Sequence, residues 1–381
     1  MVQYLQVVRK WGGWYAVERL FPRLTVSLPK LRENTRQIVS RCRPWGIEVC
    51  GVVKGCSALP PVARAMREGG VSSLGSSRLE QIEALRQAGV PGPYVMLRVP
   101  GPSELPALVE LCETSLQSEW DTLALLEQEC ARRHRTHRVV VMADLGDLRE
   151  GYWDHDELVE VCARVERELP HVHLQGIGVN LGCVGSVQPT PDKMEALLAL
   201  ARRVEQVIGR RLETISGGAT SSYTLVHWGT MPRGVNHLRI GENILLGKDL
   251  QLEWHIEDMD YLAMDTFTLT AEVLEIKTKP SYPQGTLCID AFGNKPTYTD
   301  YGIRRRALLG FGRADAGNVE ALLPRDEGVW IWGASSDHCV LDVTEAKRPF
   351  RVGDKVDFSL AYCNMLYLTA RSDVRVVYED E

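Results

Sequence analysis

The chain has 381 residues, which allows two domains and a large core. Apolar residues make up 44% and charged residues 25%, and the net charge is -6, which argues against nucleic acid or an anionic membrane as the main partner. No apolar run reaches the roughly 18 residues of a membrane span. The opening stretch "MVQYLQVVRKWGGWYAVERLFP" is broken by Arg9, Lys10, Glu18 and Arg19 and does not read as a signal peptide. Ten cysteines form no CxxC pair and most sit in apolar runs, so reduced, buried thiols in a cytoplasmic protein are expected.

In chain order, residues 1–22 read as an N-terminal segment expected to pack on a β domain. A repeating pattern follows from Leu24 to Gly247: a short apolar strand, a loop, then an amphipathic helix. The candidate strands are "LTVSL" at Leu24, "IEVCGVVK" at Ile47, "VSSLGSS" at Val71, "YVMLRV" at Tyr94, "TSLQS" at Thr114, "RVVVMADLG" at Arg138, "HLQGIGVN" at His173 and "LETISGG" at Leu212. Between them lie helical patterns such as "SRLEQIEALRQAG" and "PTPDKMEALLALARRVEQVIG", several stopping at glycine. Eight alternations predict a TIM-like (β/α)8 barrel over 23–249. An open doubly wound sheet is the alternative, weakened by the lack of a GxGxxG after the first strand. Beyond Asp249 the segments "FTLTAEVLEIKT", "GTLCIDAF", "GVWIWGASSDHCVLDV" and "DKVDFSLAY" predict a mostly β domain over 250–381. The fold class is therefore α/β with a C-terminal β domain.

Four stretches of the barrel carry groups suited to chemistry. Lys54 ends the second candidate strand, so it projects at the C-terminal rim, where barrel enzymes keep their sites. Desolvation there favours the neutral amine, a nucleophile toward carbonyls; alone, the residue also fits a lysine snorkelling to solvent. In "VVVMADLGDLREGYW" a strand runs into Asp144, Asp147, Arg149 and Glu150, charges that are costly unless paired or used. In "ISGGATSSY", after the eighth candidate strand, glycines precede Thr220, Ser221 and Ser222, a turn suited to cradling a phosphate. In "HLRIGENILLG" Arg239 sits in an apolar stretch just before Gly241. Together, an amine, an anion cradle and an inward arginine on one rim meet the needs of a pyridoxal 5'-phosphate site.

These motifs, with "GVVKGCSA", "GVNLGCVGSVQPTP", "DYGIRRRALLGFGRAD" and "GASSDHCVLDV", resemble the fold-type III pyridoxal phosphate enzymes, and within them the alanine/ornithine racemase branch. The resemblance covers nearly the whole chain from Leu24. It implies that Lys54 forms the internal aldimine with the cofactor and that Arg239 faces the pyridine nitrogen. Arginine does not give up its proton easily, so the ring stays a weaker electron sink, favouring simple proton return. It implies that Thr220, Ser221, Ser222 and Gly241 form the phosphate cup, that Tyr362 completes it, and that Arg149 lies near the cofactor's phenolic oxygen and the substrate. Asn180 stands where simple alanine racemases carry a ring-packing histidine. Ser336 and Asp337 match a substrate-carboxylate turn given by the partner subunit of a head-to-tail homodimer with shared sites.

The reaction implied is interconversion of L- and D-amino acids through an external aldimine, with Lys54 on one face of the substrate. The matching stretch for the usual opposite-face tyrosine is "GFGRADAG", where Arg313 stands; His338, Asp337 and Tyr301 are the candidates instead. The branch points to a free basic amino acid such as ornithine as substrate, with Asp290, Asp300 and Glu150 as possible partners for its distal ammonium. The competing readings are a same-fold aldolase or dehydratase, a decarboxylase, and a non-catalytic binder of the cofactor. Arg239 speaks against the decarboxylase. No metal set is expected, His338 and Cys339 being the nearest pair.

Overall fold

The computed structural model describes residues 7–10, 13–16 and 20–380. Strands β1 (Val7–Lys10) and β2 (Gly13–Ala16) form an antiparallel pair; the expected packing of 1–22 on the β domain falls partly outside the described residues. The apolar runs after Ile47 become eight short parallel strands. They are β4 (Glu48–Val52), β5 (Ser73–Ser76), β6 (Tyr94–Met96), β7 (Thr114–Gln117), β8 (His137–Ala143), β9 (Val172–Val179), β10 (Thr214–Ser216) and β11 (His237–Ile240). They close into a barrel in the order β10-β11-β4-β5-β6-β7-β8-β9. Runs such as Val139 to Ala143 are buried on both faces, as continuous apolar strands of a parallel sheet must be. Amphipathic helices cover the outside. Pro60–Glu68 buries Val62, Ala63, Ala65 and Met66, while Pro191–Ile208 starts where Thr190 Oγ1 accepts from the Lys193 amide.

Two elements differ from expectation. "LTVSL" is not a barrel strand: β3 (Arg23–Ser27) pairs antiparallel with β12 (Phe267–Pro280) and parallel with β18 (Arg375–Glu379). A five-residue apolar run looks alike in either setting, and its partners lie hundreds of residues away. The barrel is closed instead by β11, read from sequence only as an apolar stretch around Arg239. Lys54 therefore follows the first barrel strand, not the second, and the Thr220 turn follows the seventh, not the eighth.

Contacts divide the chain into two units, one taking Leu28–Thr266 and the other residues 20–27 with Phe267–Glu379. The boundaries differ from the expected 23 and 249. Asp249–Glu253 forms a π-helical turn, and Thr266 Oγ1 donates to Leu245 O, tying that segment to the barrel. The second unit also holds β13 (Ile303–Leu309), β14 (Leu323–Pro324), β15 (Trp330–Ala334), β16 (Cys339–Asp342) and β17 (Lys355–Ser359), in the order β14-β17-β12-β13-β16-β15. "GTLCIDAF" forms no strand; residues 283–302 run without regular structure. All ten cysteines are free; seven are buried, Cys363 is partly so, and Cys183 and Cys288 are exposed.

Candidate active site

Lys54 follows β4 at the C-terminal end of the barrel. The chain then turns sharply: Ser57 and Ala58 take φ of 47° and 53°, a region non-glycine residues rarely enter and one that marks functional turns. Lys54 is partly buried. Burial first, and then the nearby Arg149 guanidinium, hold its pKa below the ordinary lysine value. Glu150 acts in the opposite direction. Among the described residues the amine takes part in no salt bridge.

The loop after β8 explains its cluster of charges. Asp144 Oδ1 accepts from the amides of Gly146 (2.8 Å) and Leu148 (3.2 Å), making a tight turn. Asp147 Oδ1 accepts from Cys183 (3.2 Å) and Val187 (3.3 Å), pinning the loop after β9 against it. Asp147 Oδ2 is buried without a partner. Arg149 and Glu150 form a two-pronged ion pair with each other.

Arg239 on β11 is 4% exposed. One of its nitrogens donates to Val179 O at 3.0 Å and the other to Ser216 Oγ. Ser216 Oγ lies 2.9 Å from His237 Nδ1. Burial pushes His237 down to about 3, so the ring is neutral and its tautomer sets which of the two atoms donates. Ser216 and His237 were not singled out from the sequence, although both lie inside motifs quoted for their neighbours. Nor was Cys183, which shares the electrostatic environment of Lys54, Arg149 and Arg239.

Thr220–Ser222 forms a single tight turn after β10, with all three residues buried. Thr220 Oγ1 accepts from the Gly241 amide at 3.3 Å, and Ser221 Oγ donates to Leu181 O at 2.8 Å. Ser222 Oγ is buried with no partner, as is Asn180 Nδ2 beside Val179. Gly218 has φ +121°, and a Cβ there would lie 2.5 Å from Ser222 Oγ. A Cβ at Gly241 would come within 3.1 Å of Val52 O. Gly218 takes a backbone conformation that side chains rarely adopt, and Gly241 leaves only a tight fit for a side chain.

The barrel thus brings Lys54, Arg149, Asn180, Thr220, Ser221, Ser222, Arg239 and Gly241 to one rim. Ser336, Asp337, His338 and Tyr362 belong to the other unit. There Ser336 Oγ donates to Asp337 Oδ2 at 2.6 Å, and the Ser335 amide donates to His338 O, closing an exposed turn between β15 and β16. Arg313 pairs with Glu320 and donates to Ala334 O, so its position is filled by a paired cation. Asp290 caps a turn through the amides of Phe292 and Asn294, and Asp300 accepts from Ser281 Oγ and Gly302 N. The basic run does not meet them: Arg304 pairs with Asp342 and Glu345, and Arg306 lies over the Trp332 ring. His338 is exposed while Cys339 is buried, so the two do not face a common ion.

The alanine racemase N-terminal domain family matches residues 26–248. A lysine racemase from Thermotoga maritima is 36% identical over 360 residues, covering 94% of this chain and 99% of that protein. An ornithine racemase from Acetoanaerobium sticklandii is 35% identical, covering 91% of this chain and 96% of its own. Among solved structures, the alanine racemase of Streptomyces coelicolor superposes with a TM-score of 0.72 at 20% identity over 94% of this chain and 98% of that one, a likeness of fold.

Proposed function

We propose, from the premise that the chain belongs to the alanine racemase family, that this amino-acid racemase acts on a basic amino acid and uses pyridoxal 5'-phosphate. The observation that carries the cofactor reading is the unsatisfied cup: Ser222 Oγ and Asn180 Nδ2 are buried donors without acceptors, on the same rim as a desolvated lysine. Thr220, Ser222 and the backbone around Gly241 would hold the phosphate. Arg239, fixed by Ser216 and Val179, would face the ring nitrogen, and Asn180 would pack near the ring. Bound there, pyridoxal phosphate supplies a carbonyl carbon for amines and a ring that draws electrons from the substrate α-carbon.

The residues divide the remaining work. Burial lowers the Lys54 pKa and so favours the neutral amine, the form that would take the α-proton. Arg239 stays charged, so it does not protonate the ring nitrogen, and electron withdrawal stays modest enough for the proton to return. Arg149 would bind the substrate carboxylate with its planar fork. The group that returns the proton on the opposite face would come from the partner subunit of a shared site, His338 and the adjoining Ser336–Asp337 turn being the candidates. The head-to-tail pairing is what a site shared between two subunits requires. The two named relatives support a basic substrate.

The test is a panel of L-amino acids incubated with cofactor-loaded protein and read by chiral chromatography. Racemisation led by lysine or ornithine is expected, with a loss of at least about 10³-fold in Lys54→Ala. No racemisation of any amino acid would overturn the activity, and no preference for basic side chains would overturn the substrate.

A further inference from the structure

The rim is crowded with positive charge: Lys54, Arg149 and Arg239 all lie within one electrostatic neighbourhood. One carboxylate, Glu150, acts on both Lys54 and Arg239 and pairs directly with Arg149. Its side chain is only 16% exposed, and a carboxylate so enclosed needs a cationic partner. Asp144 holds the amides of Gly146 and Leu148, and Asp147 holds those of Cys183 and Val187 through one oxygen while its other oxygen, unmatched, is fully enclosed.

We infer that Glu150 is the specificity-determining residue for a distal ammonium, and that the Arg149–Glu150 ion pair opens when a dibasic amino acid binds. The α-carboxylate takes Arg149, and the side-chain ammonium takes Glu150. The inference rests on the racemase reading above. The exchange conserves charge pairing: one internal pair becomes two pairs with the substrate, and no enclosed charge is left alone. Because the two residues are adjacent on a loop tip, their heads part by side-chain rotation alone. A neutral side chain of equal length breaks this balance. Its carboxylate would draw Arg149 away and leave Glu150 stranded in a desolvated rim. The pair therefore favours lysine-like ligands twice over, by attraction and by the penalty set on their neutral isosteres.

The experiment compares L-lysine with L-norleucine, which lacks only the ammonium. Two readouts are taken on cofactor-loaded full-length protein: α-proton exchange in D2O by NMR, and calorimetric binding of the α-methyl derivatives, which have no α-proton to lose. Wild type should favour lysine in both. Glu150→Gln should lower that preference by about 10- to 100-fold, the effect of removing one charged hydrogen-bond partner. Glu150→Asp, keeping the charge on a shorter arm, should retain most of it. A lysine-to-norleucine ratio unchanged in Glu150→Gln, in rate and in binding, would overturn the inference. If wild type exchanges neither amino acid, the racemase reading falls, while the binding ratio still decides for or against Glu150.

Discussion

The two ends of the barrel teach opposite lessons about what makes a site. At the N-terminal end of the strands lies a cavity of about 600 Å³, lined among others by Glu48, Ser72, Thr114, Gln175, Glu213 and Asn236. Its polar groups are matched to one another. Thr114 Oγ1 donates to Gln175, Gln175 donates to Thr214, and Asn236 joins Glu213 O to the Ile215 amide. None of its lining residues carries a buried polar atom without a partner among the described residues. At the C-terminal rim, which holds Lys54, Asp147, Asn180 and Ser222 each leave a buried polar atom unmatched. Buried polar groups are nearly always satisfied, so unmatched ones mark a place built around a missing partner. Volume alone marks only room for water.

The comparison breaks most visibly at Gly218. Alanine there must adopt φ near +121° and place its Cβ against Ser222 Oγ. Strain of this kind costs about 1–3 kcal/mol, roughly a 10- to 100-fold loss of affinity for pyridoxal phosphate if it falls on the cup. Equilibrium dialysis of the cofactor against Gly218→Ala measures it. Retention of wild-type affinity would mean that the Thr220–Ser222 turn is not where the phosphate sits.

A smaller effect sharpens the electrostatic half of the comparison. The Lys54 pKa is lowered in the folded protein, so the unfolded chain binds its proton more tightly. Between the lowered folded-state pKa and the free-lysine value unfolding therefore takes up a proton, and the burden of burying Lys54 eases as pH rises through that window. Removing Arg149 should raise the Lys54 pKa, because that guanidinium lowers it; removing Glu150 should lower it further. The pH dependence of Lys54 acetylation in cofactor-free protein, read by mass spectrometry, gives the midpoints for Arg149→Met and Glu150→Gln. Shifts of the same sign in both variants would contradict the arrangement of charges described for this rim.

Much of this rim was legible because its groups are local. Lys54 stands at the end of an apolar run, Thr220 follows two glycines, and Arg239 interrupts an apolar strand just before Gly241. The (β/α)8 class was legible from the alternation of strand and helix. What escaped was non-local. Nothing within "LTVSL" says that it will pair with Arg375–Glu379 rather than with the barrel, and that one error moved every later strand by one place. The Arg149–Glu150 pair escaped for a different reason. The sequence placed four charges together, and only the fold shows that two are consumed by backbone amides, leaving the other two to face each other.

The smallest expected effect tests the mouth itself. Thr114→Val removes the hydroxyl that donates to Gln175 Oε1 at 3.0 Å and keeps the shape of the β7 side chain. A lost neutral hydrogen bond costs about 1 kcal/mol, and less where water reaches the abandoned acceptor, as the adjoining cavity allows. Stability by urea denaturation should fall by no more than that, and kcat/KM should stay within about twofold, since additive behaviour is expected of groups this far from one another. Ser216 and His237 also line the cavity, and Ser216 in turn holds Arg239 on the rim. A drop in kcat/KM well beyond twofold in Thr114→Val would show that changes at the mouth reach the rim, and that the two ends of the barrel act as one site.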